Sequence, residues 1–231
     1  MYSLFAKTSD KRYNQAMEIF NLRNIIIIIL IIVGINYYKS SKEVDVQSLS
    51  LPLDTKILAF GDSLTYGYGA PKEKSYPSLL AQYLHTTVIN EGISGELSEQ
   101  GLARLPSLLE TYKPDILVLC HGANDILRKK DVANIKANIT QMVKLAQSKG
   151  VYVLLVGVPM YDILNFNVPD FYYDVAKEND ILIEDESLKT IMQSDNLRSD
   201  QVHPNEAGYA LMARKIAQIL SDSYHPSAKP F

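Results

Sequence analysis

Hydrophobic and polar positions follow two alternating patterns along most of the chain. Short apolar runs, typical of strands buried on both faces, lie at 56–60, 87–90, 115–120, 151–156 and, more weakly, 181–183. Between them, apolar residues recur every three or four positions at 97–109 and 132–146, and again at 205–220. This alternation predicts an α/β fold with a five-stranded parallel sheet between two layers of helices, flavodoxin-like in type.

The domain boundaries follow from where this pattern begins and ends. No stretch rich in Gly, Ser or Pro interrupts residues 55–222, so we expect a single domain there. A polar linker is predicted at 39–54 and a C-terminal tail at 223–231. The remaining N-terminal part divides into a segment at 1–24 and an apolar helix at 25–38.

The apolar run at 25–35 contains 11 residues, five of them consecutive isoleucines. Eleven helical residues span about 16 Å, less than the roughly 30 Å of bilayer hydrocarbon, so the run fits a short anchor or the core of a signal peptide. The residues after it offer no small-x-small cleavage site. The sequence therefore favours an uncleaved membrane anchor at 25–38, with a cleaved signal peptide as the alternative. A buried core helix is disfavoured because every face is apolar.

Four basic residues precede this run and two follow it, which predicts a cytoplasmic N-terminal segment and a domain on the opposite side of the membrane. Translation could instead start at Met17, which would remove three of the four upstream basic residues and weaken this orientation.

Composition excludes several classes of partner. Among 231 residues the net charge is −3, so no basic footprint for nucleic acid is present. The single cysteine, Cys120, lies in a strand-like run and is expected to be a buried apolar residue. The four histidines lack metal-ligand spacing, so we expect no metal. The sequence leaves the oligomeric state open, and a monomer is favoured.

Polar residues follow several predicted strands and together suggest nucleophilic catalysis. Ser63 comes just after the strand at 56–60, and Asp200 and His203 share one loop before the last helix. A serine hydroxyl needs a base within hydrogen-bond reach, and that base needs a group that orients it. We expect Ser63 as nucleophile, His203 as base and Asp200 as its orienting carboxylate. Attack on a carbonyl also needs donors for the oxyanion, for which the Ser63 amide, the Gly95 amide and the Asn124 side chain are candidates.

Each residue also has a structural alternative. Ser63 and Asn124 could cap the helices that follow them, Asp200 and His203 could belong to an ordinary surface loop, and Gly95 could serve backbone geometry alone. Their order along the chain and their placement at strand ends favour the catalytic interpretation. No Gly-x-Ser-x-Gly elbow and no phosphate-binding loop with a following lysine is present.

These residues resemble the four blocks of the SGNH, or GDSL, hydrolases. The matching positions are Ser63 in GDSLT, Gly95 in ISGE, Asn124 in GAND and His203 in DQVHPN. The stretch 90–128 is similar to the bacterial thioesterase/protease/lysophospholipase branch, often called arylesterase. The resemblance implies a cofactor-free Ser-Asp-His esterase with three oxyanion donors. Ala123 replaces the second glycine that is common in the family's GGND block. The segment at 25–38 resembles an anchor and not a cleaved signal peptide. This second difference implies an inner-membrane protein with a periplasmic domain instead of a soluble periplasmic protein.

The substrate is less constrained by sequence. The segment 158–173 is rich in apolar and aromatic side chains and could line an acyl groove or merely pack a long loop onto the core. Aryl esters, acyl thioesters and lysophospholipids remain open. Two other functions are carried as alternatives: a carbohydrate O-acetyl esterase on the same fold, and a catalytically silent, membrane-tethered binding module.

Overall fold

The computed structural model describes residues 24–31, 49–52, 54–162 and 165–225. The chain divides into two compact units, Met1–Val44 and Asp45–Phe231. In the first unit, residues 24–31 are helical. Several predicted parts of the chain lie outside the described residues. They are residues 1–23 with the alternative start at Met17, residues 32–38 of the expected anchor, most of the linker, and residues 226–231 of the tail. In the described part of the chain, no helix has both the length and the apolar character needed to cross a membrane.

The second unit is built on a sheet of five parallel strands, as the sequence predicts. Its strands are β1 Lys56–Gly61, β2 Thr87–Gly92, β3 Ile116–Cys120, β4 Tyr152–Val156 and β7 Leu182–Glu184. They run in the order β2-β1-β3-β4-β7, and each pairs in parallel with its neighbours. All five predicted strands are present, shifted by at most two residues.

The strands are apolar because the sheet is covered on both faces. Ile57 to Phe60 and Ile116 to Cys120 have no exposed surface, so side chains pointing to either face are buried. Cys120 is buried as expected, and burial raises the pKa of its thiol well above the ordinary value.

Helices flank the sheet. The described helices of the second unit are α1 Ser63–Tyr66, α2 Tyr76–Leu84, α3 Ser98–Tyr112, α4 Ala123–Leu127, α5 Val132–Ser148, α6 Asp170–Glu178, α7 Ser187–Met192 and α8 Glu206–Ser223, with 3₁₀ turns at Lys72–Lys74 and Asp195–Leu197. The larger helices pack in pairs: α2 with α8, and α3 with α5.

The apolar segment 158–173 is more regular than the sequence suggests. Strands β5 Met160–Asp162 and β6 Asn165–Asn167 form an antiparallel hairpin, and α6 begins at Asp170. Residues 163–164 of this segment lie outside the described residues. The hairpin follows the carboxyl end of β4, so it extends from the sheet edge at which ligands of such folds bind.

Candidate active site

Ser63 is positioned by the tight turn that ends β1. A Cβ on Gly61 would lie 1.9 Å from the Cys120 carbonyl oxygen, so only glycine allows β1 and β3 to approach here. The Asp62 carboxylate then accepts a hydrogen bond from the Leu64 amide at 3.1 Å and caps α1. Asp62, and not Ser63, is therefore the N-cap, so the capping alternative for Ser63 is wrong.

The second group of predicted residues meets Ser63 from the loop before α8. The His203 Nε2 atom lies 3.1 Å from the Ser63 Oγ, and the His203 Nδ1 atom lies 2.8 Å from the Asp200 Oδ2. The three side chains thus form one hydrogen-bonded chain, although 140 positions in sequence separate Ser63 from His203. The Tyr68 ring packs against the imidazole with 4.4 Å between ring centroids. The ordinary surface-loop alternative does not account for this arrangement.

The loop that carries Asp200 and His203 is closed by its own hydrogen bonds. The Asp200 Oδ1 accepts from the Val202 and His203 amides at 2.9 and 2.8 Å. The Ser199 amide donates to the His203 carbonyl at 2.9 Å, which closes the loop behind the imidazole. Burial alone would raise the pKa of Asp200, but hydrogen bonds from the Val202 amide and from His203 outweigh it and lower that pKa. Asp200 is therefore held as a carboxylate facing the imidazole.

Gly95 and Asn124 are joined through the loop between β2 and α3. The Asn124 Nδ2 donates to the Glu96 carbonyl at 3.1 Å, and the Arg128 Nη2 donates to the Gly95 carbonyl at 3.2 Å. Gly95 has φ +81°, a conformation that favours glycine. Asn124 is the second residue of α4, whose N-cap is Gly122, so the capping alternative for Asn124 is also wrong.

A buried ion-pair network, which the sequence pattern does not reveal, holds this loop. Arg104 donates to both carboxylate oxygens of Glu96, from Nε at 2.7 Å and from Nη2 at 2.8 Å. The same guanidinium donates to the Glu91 carbonyl at 2.7 Å and lies 4.2 Å from the centre of the Phe60 ring. Arg104 thus ties the loop to the carboxyl ends of β1 and β2.

His121 completes this network from the end of β3. Its Nδ1 accepts from the Gly122 amide at 3.1 Å, which assigns the ring hydrogen to Nε2, 3.2 Å from the Glu96 Oε2. Burial would raise the pKa of Glu96, but hydrogen bonds from His121 and Arg104 outweigh it and lower that pKa. Glu96 is therefore a buried carboxylate that is stabilised by its partners.

Asp125, next to Asn124, fixes the far end of the same loop. Its carboxylate accepts from the Ser98 amide and from the Ser98 hydroxyl, both at 2.8 Å. The first residue of α3 is thereby fastened to α4, so the loop that carries Gly95 is held at both ends.

A cavity of about 670 Å³ opens beside these residues. Ser63, Asn124 and His203 line it, whereas Gly95 is not among the described residues that do. Most of the other lining residues are apolar: Leu64, Ala123, Ile126, Leu127, Val158, Pro159, Met160, Phe166, Leu188, Met192 and Val202. A second cavity of about 490 Å³ lies near the amino ends of β4 and β7, and no predicted site residue lines it. The first cavity is therefore the candidate substrate site.

Metal-ion chemistry has no candidate site among the residues that the structure describes. No group of three or more His, Cys, Asp or Glu side chains there could hold a metal ion.

Comparison with known proteins gives a consistent result. A model of the GDSL-like lipase/acylhydrolase family matches residues 59–211. The chain is 34% identical to an arylesterase of Vibrio mimicus over 175 residues, which cover 71% of this chain and 88% of that protein. It is 29% identical to thioesterase 1/protease 1/lysophospholipase L1 of Escherichia coli strain K12 over 171 residues, covering 71% of this chain and 82% of that one.

Solved structures agree with these sequence comparisons. The esterase EstA from Pseudoalteromonas sp., in a structure inhibited by monoethylphosphonate, superimposes with a TM-score of 0.64 at 26% identity and covers 73% of this chain and 98% of that one. A structure of TesA gives a TM-score of 0.66 at 26% identity, covering 73% and 99%. These findings confirm the resemblance seen in the four sequence blocks: the chain belongs to the GDSL-like lipase/acylhydrolase family, the SGNH hydrolases.

Proposed function

We propose that this protein is a serine esterase in which Ser63 is the nucleophile, His203 the general base and Asp200 the carboxylate that orients it. The observation that carries this proposal is the chain of contacts from Ser63 Oγ to His203 Nε2 and from His203 Nδ1 to Asp200. As Ser63 Oγ attacks the ester carbon, His203 accepts its proton and then donates it to the departing alcohol or thiol. Water then attacks the acyl-serine: His203 accepts a proton from the water and donates it to Ser63 Oγ as the acid is released.

The oxyanion formed at each attack needs hydrogen-bond donors. We assign this role to the Ser63 amide, the Gly95 amide and the Asn124 Nδ2. An amide NH₂ group has two hydrogens, and the bond to the Glu96 carbonyl uses one of them, which leaves the second for the oxyanion. The network of Glu96, Arg104 and His121 supports the assignment because it fixes the loop that carries the Gly95 amide. The same loop accepts a hydrogen bond from the Asn124 side chain.

The cavity indicates which esters fit. Its largely apolar lining favours an acyl chain longer than acetyl, in agreement with relatives named arylesterase and thioesterase/lysophospholipase. The same lining disfavours the carbohydrate O-acetyl esterase, because a sugar would leave hydroxyl groups without partners there. Thioesters and oxygen esters both fit the proposed chemistry.

Ser63→Ala tests the proposal directly. We expect the variant to fold normally and to lose at least about a thousandfold in kcat on an aryl ester, since it lacks the attacking oxygen. A fluorophosphonate probe should label the wild-type protein and not the variant; EstA, a relative, was crystallised with a phosphonate inhibitor. A Ser78→Ala variant, which removes an exposed hydroxyl bonded to the Lys72 carbonyl, serves as the control and should be labelled and active.

The outcome also separates the alternatives. A series of aryl esters from acetate to decanoate should give its highest kcat/KM beyond acetate. A maximum at acetate would favour the O-acetyl esterase. An unlabelled and inactive wild-type protein would favour the binding module.

The boundary of the catalytic unit is a further part of this proposal. Every residue assigned to chemistry lies within 55–222, so a chain that starts near Val46 should retain full activity on soluble esters. If the shortened protein folded but lost activity, a residue before position 46 would be required for catalysis.

A further inference from the structure

The β5–β6 hairpin and the residues that lead into it form one wall of the candidate substrate cavity. The residues of this wall that line the cavity are Val158, Pro159, Met160 and Phe166. Asn124, the proposed side-chain donor to the oxyanion, lines the same cavity. An ester bound there would meet the hairpin with its acyl chain and Asn124 with its carbonyl oxygen. The reaction then depends on the distance between the hairpin and the start of α4.

Tyr172 joins the end of this hairpin to the segment that carries Asn124. It lies in the first turn of α6, shortly after β6, and has no exposed surface. Its Oη donates to the backbone carbonyl of His121, the residue that follows β3, at 2.7 Å. The same oxygen lies so close to Gly122 that a Cβ there would be 2.7 Å from it. The phenol therefore fixes the turn that leads from β3 into α4.

The start of the hairpin segment meets the same hydroxyl group. The Val158 amide donates a hydrogen bond to the Tyr172 oxygen and acts to lower its pKa, but burial outweighs it and raises that pKa well above the ordinary value. The phenol thus keeps its proton and remains the donor to the His121 carbonyl. One buried oxygen accepts from the residue that enters the hairpin and donates to the segment before Asn124, while the helix that carries it follows the hairpin.

The ring of Tyr172 is itself held firmly. It stacks on the Phe171 ring with 4.3 Å between ring centroids, and the Tyr172 amide donates to the Pro169 carbonyl at 3.0 Å. A shift of the hydroxyl would leave buried polar groups without partners, which is costly. Tyr172 is therefore a rigid link between the two parts of the cavity wall.

We propose that Tyr172 is a positioning residue that fixes the distance between the hairpin wall and the oxyanion donor Asn124, and thereby favours esters with longer acyl chains. This inference rests on the proposed esterase function and adds a residue that determines acyl-chain preference. A long acyl chain held by the hairpin places its carbonyl carbon at Ser63 only if the hairpin lies at the correct distance from Asn124. An acetyl group offers the hairpin little to hold, so its hydrolysis depends on this distance much less.

Hydrolysis of 4-nitrophenyl acetate and 4-nitrophenyl octanoate by Tyr172→Phe tests this role. The variant loses both hydrogen bonds but keeps the ring and its stack on Phe171, so we expect it to fold. Its kcat for the octanoate should fall about tenfold with little change in KM, because the apolar walls remain while the carbonyl group is misplaced. Its kcat for the acetate should change by less than about twofold, since the Glu96 carbonyl still holds the Asn124 side chain.

Tyr209→Phe is the matched control. Tyr209 is equally buried and its hydroxyl donates to the Tyr68 carbonyl at 2.8 Å, but it lies on α8 and does not line the cavity. The ratio of octanoate to acetate kcat should therefore stay at the wild-type value in this control. An equal loss for both esters in Tyr172→Phe, as a merely structural role would produce, would overturn the proposal. So would the same fall of the ratio in Tyr209→Phe.

Phe166→Ala gives a second test that does not depend on the folding of the Tyr172 variant. Phe166 is half-buried on the hairpin and lines the cavity, so its removal should lower kcat/KM for the octanoate and leave the acetate nearly unchanged. In the Phe166→Ala protein, Tyr172→Phe should change the ratio of the two esters less than it does in wild type, because both residues act through the hairpin. Equal effects of Phe166→Ala on both esters, or independent effects of the two changes, would overturn the proposal.

The same assay separates this inference from the proposed function. Wild-type protein that hydrolyses neither ester would refute the esterase and this role of Tyr172 with it. Hydrolysis of both esters with the wild-type ratio in Tyr172→Phe would refute the role of Tyr172 alone and leave the esterase intact.

Discussion

Two carboxylate–histidine pairs lie in the segments that carry the candidate site residues, and they differ in exposure and in the contacts that hold them. Glu96 and His121 are 3.2 Å apart, with side chains 5% and 0% exposed. Asp200 and His203 are 2.8 Å apart, with side chains 45% and 17% exposed. The first pair is held by Arg104 and by the ends of β1 and β2, whereas a short loop closed by its own backbone bonds holds the second.

In the proposed mechanism this difference corresponds to two tasks at one site. The exposed pair would change its protonation during the reaction, and the hydrogen bonds that Asp200 accepts from backbone amides stay within its own short loop. The buried pair fixes the loop of the proposed oxyanion donors, and loss of one partner leaves a buried group unsatisfied. We therefore expect changes in the exposed pair to affect activity alone, and changes in the buried pair to affect both activity and stability.

The largest effect is expected for His203→Ala. Removal of the base should lower kcat on an aryl ester by about 10⁴-fold, because Ser63 then keeps its proton. The midpoint of urea unfolding should stay close to that of wild type, since among the described residues the imidazole hydrogen-bonds to Ser63 and Asp200 and packs against the exposed Tyr68 ring, all near the surface. A large loss of stability would mean that the exposed pair also supports the fold.

Arg104→Met tests the buried side. Removal of the guanidinium should lower the free energy of unfolding by about 3 kcal/mol, because the Glu96 carboxylate loses its main partner. We also expect a loss of kcat of about tenfold or more with a smaller change in KM, since the oxyanion donors serve mainly the transition state.

Lys136→Met is the matched control for this change. Lys136 pairs with Asp174 and Glu178 on the surface, where removal of an ion pair costs at most about 1 kcal/mol. Activity should not change. If both variants lost the same stability, the Arg104 network would be no more important than a surface pair.

The smallest effect is a difference in acid stability. Glu96 has a lowered pKa in the folded protein, so the unfolded chain takes up its proton first as pH falls below the ordinary value of 4.5. The stability that ionised Glu96 contributes is thus complete above that pH and is lost as pH falls through its lower folded value. As pH falls below the ordinary value of 4.5, Glu96→Gln should lose unfolding free energy less steeply than wild type.

Asp62 and Glu184 change the pH dependence of the unfolding free energy in the opposite direction from Glu96, because burial raises their pKa values in the folded protein. They are present in both proteins, so the difference between wild type and Glu96→Gln isolates Glu96. Identical slopes in this pH range would show that Glu96 does not stabilise the fold as a carboxylate.

The sequence predicted the sheet well because strands buried on both faces leave unbroken apolar runs. The run at 116–120 is an example, and every residue in it is fully buried. Helix α2 is absent from the predicted helices, although its sequence carries the signal: Tyr76, Leu79, Leu80 and Leu84 are all buried and lie on one helical face. The β5–β6 hairpin could not be predicted in the same way, because its strands contain three residues each and mix polar with apolar positions.

The candidate site was predictable to a lesser extent. Ser63, Asp200 and His203 could be singled out because strand ends and short loops leave polar residues in recognisable order. The network of Glu96, Arg104 and His121 could not, because His121 and Glu96 are 25 positions apart and charged residues in a helix usually face solvent.

The most direct test replaces each carboxylate of the two pairs by its amide and measures both unfolding free energy and kcat in one buffer. Asp200→Asn should lower kcat about a hundredfold or more and change the free energy of unfolding by less than about 0.5 kcal/mol. Glu96→Gln should lower that free energy by about 2 kcal/mol or more and reduce kcat by a smaller factor. An Asp200→Asn variant destabilised as much as Glu96→Gln, or a Glu96→Gln variant as stable as wild type, would contradict the division between an exposed reactive pair and a buried positioning pair.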